Sequence, residues 1–169
     1  MDQEKLNIER ASKAIRDSRF VEGLSFLESN LSKDPNHKDS LYLAAVCSRY
    51  LKNYKDSKEY LNNLLTQAPD MGRAYQELGH LCKAIGENEE AASHYRQACE
   101  LNPALVASWK SLFNYFNKRN NKAAAEHAHE QIKKLDSLPP ILLYISQILN
   151  EGRLAIACLL YTSPSPRDK

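Results

Sequence analysis

The chain has 169 residues, with 23 Lys and Arg against 21 Asp and Glu. A balance that close gives no bulk attraction to nucleic acid or to an anionic membrane, so electrostatic recognition must come from a local patch. Glycines are few and Ala, Leu, Lys, Glu, Gln and Asn plentiful, a mixture that favours helix over sheet because straight-chain residues lose little rotamer freedom in a helix.

The opening, MDQEKLNIERASKAIRD, mixes charged and apolar residues without an unbroken apolar run, and so reads as neither a signal peptide nor a membrane span. Apolar and small residues at helical spacing predict helices near 3–17, 20–32, 37–51, 54–66, 71–84, 88–100, 105–118, 122–135 and 140–150. In the third, Leu41, Ala44, Ala45, Cys47 and Tyr50-Leu51 recur at helical intervals, and Gly86-Glu87-Asn88 is the expected turn between the fifth and sixth. The absence of an export signal predicts a cytoplasmic protein with reduced thiols. Cys47, Cys82, Cys99 and Cys158 show no C-x-x-C spacing and read as small buried hydrophobes.

An internal period organises the chain. Pro35, Pro69 and Pro103 lie 34 residues apart, in the matching contexts LSKDPNH, LTQAPDM and CELNPAL. Each proline follows one helix-like stretch and precedes another, as expected of a residue that cannot continue a helix. The third period reads YQELGHLC at 75–82 and AASHYRQA at 91–98. Tyr75, Leu78, Gly79, Cys82, Ala91, Tyr95, Ala98 and Pro103 thereby resemble the signature of the tetratricopeptide repeat (TPR) family. The fourth period carries Trp109, Leu112, Phe113, Phe116 and Ala125 and closes at Pro139-Pro140. The second has Leu41, Ala44, Ala45, Ser57, Leu61, Leu64 and Pro69; the first has Ala11, Ala14, Gly23, Leu27 and Pro35.

This resemblance implies an all-α fold, an α-solenoid of antiparallel helix pairs. Four complete repeats fall at about 3–36, 37–70, 71–104 and 105–138, with a truncated fifth at 139–157. Small residues such as Gly79 and Ala91 are expected where helix backbones approach closely, with Tyr95, Trp109 and Phe116 filling the gaps beside them.

The fifth period breaks off near Ala157. Residues 158–169, CLLYTSPSPRDK, resemble translated adapter sequence and are expected to be a non-native or disordered tail. An array without a polar terminal helix is expected to expose Ile141, Leu142, Ile145, Ile148 and Leu149, and to self-associate through this uncapped C-terminal helix.

No catalytic constellation stands out: G-x-G-x-x-G, H-E-x-x-H and G-x-S-x-G are all missing, and neither cofactor nor metal is expected. His127 and His129, two apart on a helix, point to different faces, and Glu89-Glu90 read as a solvated cap at a helix start. The resemblance places ligands on the first helix of each repeat, in a concave groove. Carried onto this sequence, the groove residues are Tyr42, Arg49 and Tyr50; Arg73, Gln76, His80 and Lys83; and Lys110, Asn114, Asn117 and Lys118. The face is mildly basic and amide-rich, which suits an extended protein or peptide segment. Co-chaperone TPR domains grip a terminal carboxylate with Lys and Asn on successive first helices. Only Lys110 and Asn114 match that pair here, and Glu77 stands where a cation is expected, so chaperone-tail binding is not assigned. The expected function is a non-catalytic interaction scaffold. The alternative comes from PPILLYISQILNEGRLAIA, which looks like the repeats that precede the catalytic domain of bacterial TPR–sulfotransferase fusions.

Overall fold

The computed structural model describes residues 3–150, which form nine helices without a strand among them. They are α1 (Gln3–Arg16), α2 (Phe20–Leu31), α3 (Lys38–Tyr50), α4 (Tyr54–Gln67), α5 (Gly72–Ala84), α6 (Asn88–Leu101), α7 (Val106–Lys118), α8 (Lys122–Asp136) and α9 (Pro140–Asn150). All nine fall within a residue or two of the helices expected from sequence. The expected tail at 158–169, Cys158 and most of the second half of the fifth period lie outside the described residues.

The 34-residue period is written into the backbone as well as the side chains. Ser18, Lys52, Gly86 and Asn120 stand one period apart, and each has a positive φ, between 56° and 89°. The next residue in each case donates its N–H back across the finished turn: Arg19 to Ala14 O, Asn53 to Ser48 O, Glu87 to Cys82 O and Asn121 to Phe116 O, at 2.7–3.0 Å. These are left-handed helix ends that satisfy carbonyls the helix leaves orphaned, then turn the chain into the second helix of the pair. Small side chains follow in the same register. Gly23, Ser57, Ala91 and Ala125 are all buried, and Ser57 Oγ donates to Ala45 O at 2.9 Å, joining α4 to α3.

The helices divide into two compact units, residues 1–69 with 77–87 and residues 70–76 with 88–169. In the first, Ala11, Leu27, Ala44 and Cys47 form a buried core flanked by Ile8, Ile15, Phe20 and Leu24. A polar ladder runs beside it. Asn7 Nδ2 donates to Asn30 Oδ1 at 2.8 Å, and Asn30 Nδ2 donates to Glu4 O at 3.0 Å and to Ser40 Oγ at 3.3 Å. The second unit buries Tyr95, Ala98, Cys99, Leu105, Leu112, Ala128 and Ile132. Its tightest backbone approach is at Gly72, where an added Cβ would stand 2.8 Å from Asn102 Cβ and 3.1 Å from Ala98 O. At the C-terminal end Ile141, Leu142 and Leu149 are exposed as expected and Ile145 is half-buried. Ile148 is only 1% exposed, and the neighbouring Gln147 is hydrogen-bonded to Ala104 in the α6–α7 connection.

Candidate functional site: helix faces that present polar side chains

Tyr42, Arg49, Tyr50, His80 and Lys83 belong to the first unit. Arg49 and Tyr50 close α3; both pack against neighbours, with Arg49 half-buried and Tyr50 53% exposed. The Arg49 guanidinium donates through Nε to the Glu77 carboxylate, a pair 16% and 4% exposed at the side chains. It also lies 4.4 Å from the Tyr50 ring centroid, and that ring stacks on Phe20 at 4.3 Å with 5° between the planes. Burial opposes the charge on Arg49, yet the hydrogen bond and charge of Glu77 outweigh it and raise its pKa. Burial lifts the Glu77 carboxyl above its ordinary value against the pull of Arg49. His80 sits near this pair, and burial together with the Arg49 and Lys83 charges lowers its pKa to about 4. The glutamate that broke the expected cation pattern is therefore the internal counter-ion of an expected groove cation.

Arg73, Gln76, Lys110, Asn114, Asn117 and Lys118 belong to the second unit. Two of these are engaged: Gln76 Oε1 accepts from Ser108 Oγ at 2.9 Å, and Arg73 donates to Gln147 Oε1 at 3.4 Å. The other four lie on α7 at i, i+4, i+7 and i+8, so one stripe of that helix carries them all. All four are exposed. Lys110 lies 3.9 Å from Asp136, both being more than half exposed. Among the described residues the side chains of Asn114, Asn117 and Lys118 have no hydrogen bond or ion pair.

The opposite side of α7 faces α6 and α8. There a concavity of about 540 Å³ is lined by Trp109, Leu112 and Phe116, with Cys99, Ala124 and Ala128. Trp109 Nε1 donates to Pro103 O at 2.9 Å, so the periodic proline also seats the tryptophan. His127 meets the Trp109 ring edge-on at 5.7 Å, whereas His129 stacks on Phe113 at 5.3 Å, which places the two imidazoles on different faces. Glu89 at the start of α6 is solvated as expected, its side chain 75% exposed, and it also pairs with Arg119. Burial pushes the Cys47 thiol up to about 11; burial and the nearby Glu100 push Cys99 to about 12. Both thiols are free and buried, and burial disfavours the thiolate. No helix among the described residues is long and apolar enough to cross a membrane.

Residues 72–105, which span α5, α6 and the proline that follows, match the family model of the tetratricopeptide repeat. The fold is that of tetratricopeptide repeat proteins. Among solved structures, a thermophilic TPR protein of Thermus thermophilus is 20% identical, with 94% of this chain and 88% of that one aligned at a TM-score of 0.69. MamA from residue 41 to its end, from Desulfovibrio magneticus RS-1, is 17% identical over 79% of this chain and 75% of that one, with a TM-score of 0.66. The first TPR of Spaghetti (RPAP3), bound to the HSP90 peptide SRMEEVD, is 18% identical over 70% of this chain and 94% of that one, with a TM-score of 0.63. Gln147, which accepts from Arg73, and the Phe20 ring, which stacks on Tyr50, are absent from the expected site residues. Their only sequence signal is an amide or an aromatic at a helix end.

Proposed function

We propose that this chain is a non-catalytic interaction scaffold that binds an acidic, extended peptide along the α7 stripe of its second unit. The observation that carries the reading is the contrast within the expected groove set. Arg49, Arg73 and Gln76 are half-buried and engaged by other side chains of the protein, whereas Lys110, Asn114, Asn117 and Lys118 stand exposed in one line. Two ammonium groups flanking two carboxamides suit a ligand that offers side-chain carboxylates and peptide groups, because an amide both donates to and accepts from an extended backbone. The TPR structure that holds SRMEEVD lends support, since that peptide carries three acidic residues.

The test is fluorescence polarisation with labelled 12-residue acidic peptides, measured at low and high salt. A wild-type binder is expected to lose at least tenfold in affinity in the Lys110→Glu/Lys118→Glu variant, and several-fold in Asn114→Ala/Asn117→Ala. Unchanged binding by both variants rejects the stripe. The second reading, repeats that precede a sulfotransferase domain, leaves this stripe in place and puts the chemistry outside the sequence given. A strand–phosphate loop–helix motif downstream in the intact gene would distinguish it.

A further inference from the structure

Helix α9, PILLYISQILN, is apolar around most of its circumference, and a helix of that kind is ordinarily buried on all sides. Here only its last turns are held. Gln147 Nε2 donates to Ala104 O at 2.9 Å, Gln147 Oε1 accepts from Arg73, and the Gln147 carbonyl accepts from Asn102 Nδ2 at 3.1 Å. Ile148 beside it is buried, while Leu138, Ile141, Leu142, Tyr144 and Leu149 are 37–50% exposed.

The receiving surface is built around Asn102 in the α6–α7 connection. Asn102 is fully buried, and its Oδ1 accepts from Ala104 N at 3.2 Å, which aims Nδ2 outward and sets the carbonyl of Ala104 beside it. One acceptor and two donors therefore surround a single position. A glutamine answers all three through its side-chain amide and its own carbonyl. A glutamate in its place would set an anion against the Ala104 carbonyl.

We infer that this clasp, made by Arg73, Asn102 and Ala104, is an exchangeable docking site, and that its partner is α9 of a second copy of the same chain. Among the described residues, the helix that fits the clasp is α9. The connection from α8 is short and carries Pro139-Pro140, and short hinge connections favour exchange of an element between copies. The site uses the α6–α7 connection and the start of α5, so it stands apart from the α7 stripe proposed for peptides.

The experiment mixes two pools of the full 169-residue chain, one with a donor and one with an acceptor fluorophore, and follows energy transfer alongside mass by light scattering. The expected result is concentration-dependent dimer with slow exchange in the wild type, and monomer in Ile148→Asp and in Gln147→Glu. A synthetic peptide of residues 138–150 is expected to bind Ile148→Asp at least tenfold more tightly than it binds Ile148→Asp/Asn102→Ala. Circular dichroism checks that each variant keeps its helices. A wild type that stays monomeric at every concentration overturns the exchange, as does a dimer that survives both single substitutions. Equal peptide binding by the two Ile148→Asp proteins overturns the clasp. Lys110→Glu/Lys118→Glu is expected to leave the dimer unchanged, so this inference and the peptide reading fail separately.

Discussion

The Arg49 guanidinium donates to a Glu77 carboxylate in a residue only 3% exposed, which joins the end of α3 to the middle of α5. Taking a carboxylate out of water costs several kcal/mol unless a partner compensates it, and removing that partner alone strands the charge. Arg49→Met is therefore expected to destabilise the protein by about 3 kcal/mol, while Arg49→Met/Glu77→Leu recovers most of the loss. Urea unfolding of the two single variants and the double variant measures the coupling; additive losses would show that the pair contributes nothing of its own.

His80 supplies a pH dependence with a definite sign. Its folded pKa is lowered from 6.5 to about 4, so the folded state holds it neutral where the unfolded chain takes up a proton. The resulting stability is present above pH 6.5 and is lost as the pH falls from there toward 4. Between about pH 7.5 and 5 the loss amounts to about 2 kcal/mol at most, less any relief from the partial exposure of the ring. The raised Glu77 carboxyl works in the opposite sense, because a folded state that binds its proton more tightly gains on acidification. Subtracting the profile of His80→Gln from that of the wild type isolates the histidine. Parallel profiles for the two proteins would refute the prediction.

Turn chemistry gives a gain rather than a loss. Lys52 and Ser18 adopt the left-handed conformation that Gly86 takes at the equivalent place. A side chain there costs about 1 kcal/mol against glycine. Lys52→Gly is expected to raise stability by about 0.5–1 kcal/mol, and Gly86→Ala to lower it by a similar amount. Thermal melts of both variants check the pair, and a lower melting temperature for Lys52→Gly would contradict it.

The same turns show what sequence conveys. Helix positions are legible because the prolines and the small residues at 23, 57, 91 and 125 recur with one period, and both obey steric rules that act locally. Of the four left-handed turns the sequence marks the one at Gly86; Asn120 has the propensity for that conformation too, whereas Ser18 and Lys52 enter it under the pull of the pairing helices. The expected groove residues follow from position alone, and position does not tell which of them the protein itself engages. Which cation stays free depends on Glu77 meeting Arg49 across 28 residues and Gln147 meeting Arg73 across 74, and no local pattern records either encounter. Gly72 reads in sequence as an ordinary helix start, yet Asn102 and Ala98 leave no space there for a Cβ.

Asn7 and Asn30 carry the last prediction. Their equivalents one, two and three periods on are Leu41, Tyr75 and Trp109 for the first, and Leu64, Ala98 and Ile132 for the second. Only the first repeat fills both places with amides, and there Asn7 Nδ2 donates to Asn30 Oδ1 in a buried setting. Two apolar positions have thus turned polar together, which satisfies groups that singly would be stranded. Asn30→Leu leaves the Asn7 amide without its acceptor, at a cost of about 1–3 kcal/mol. Asn7→Leu/Asn30→Leu restores the pattern of the other repeats and is expected to return at least half of that loss. Chemical denaturation of the single and double variants decides it: a double variant weaker than the sum of the singles would mean that the ladder is required by the shape of the first repeat and not merely tolerated by it.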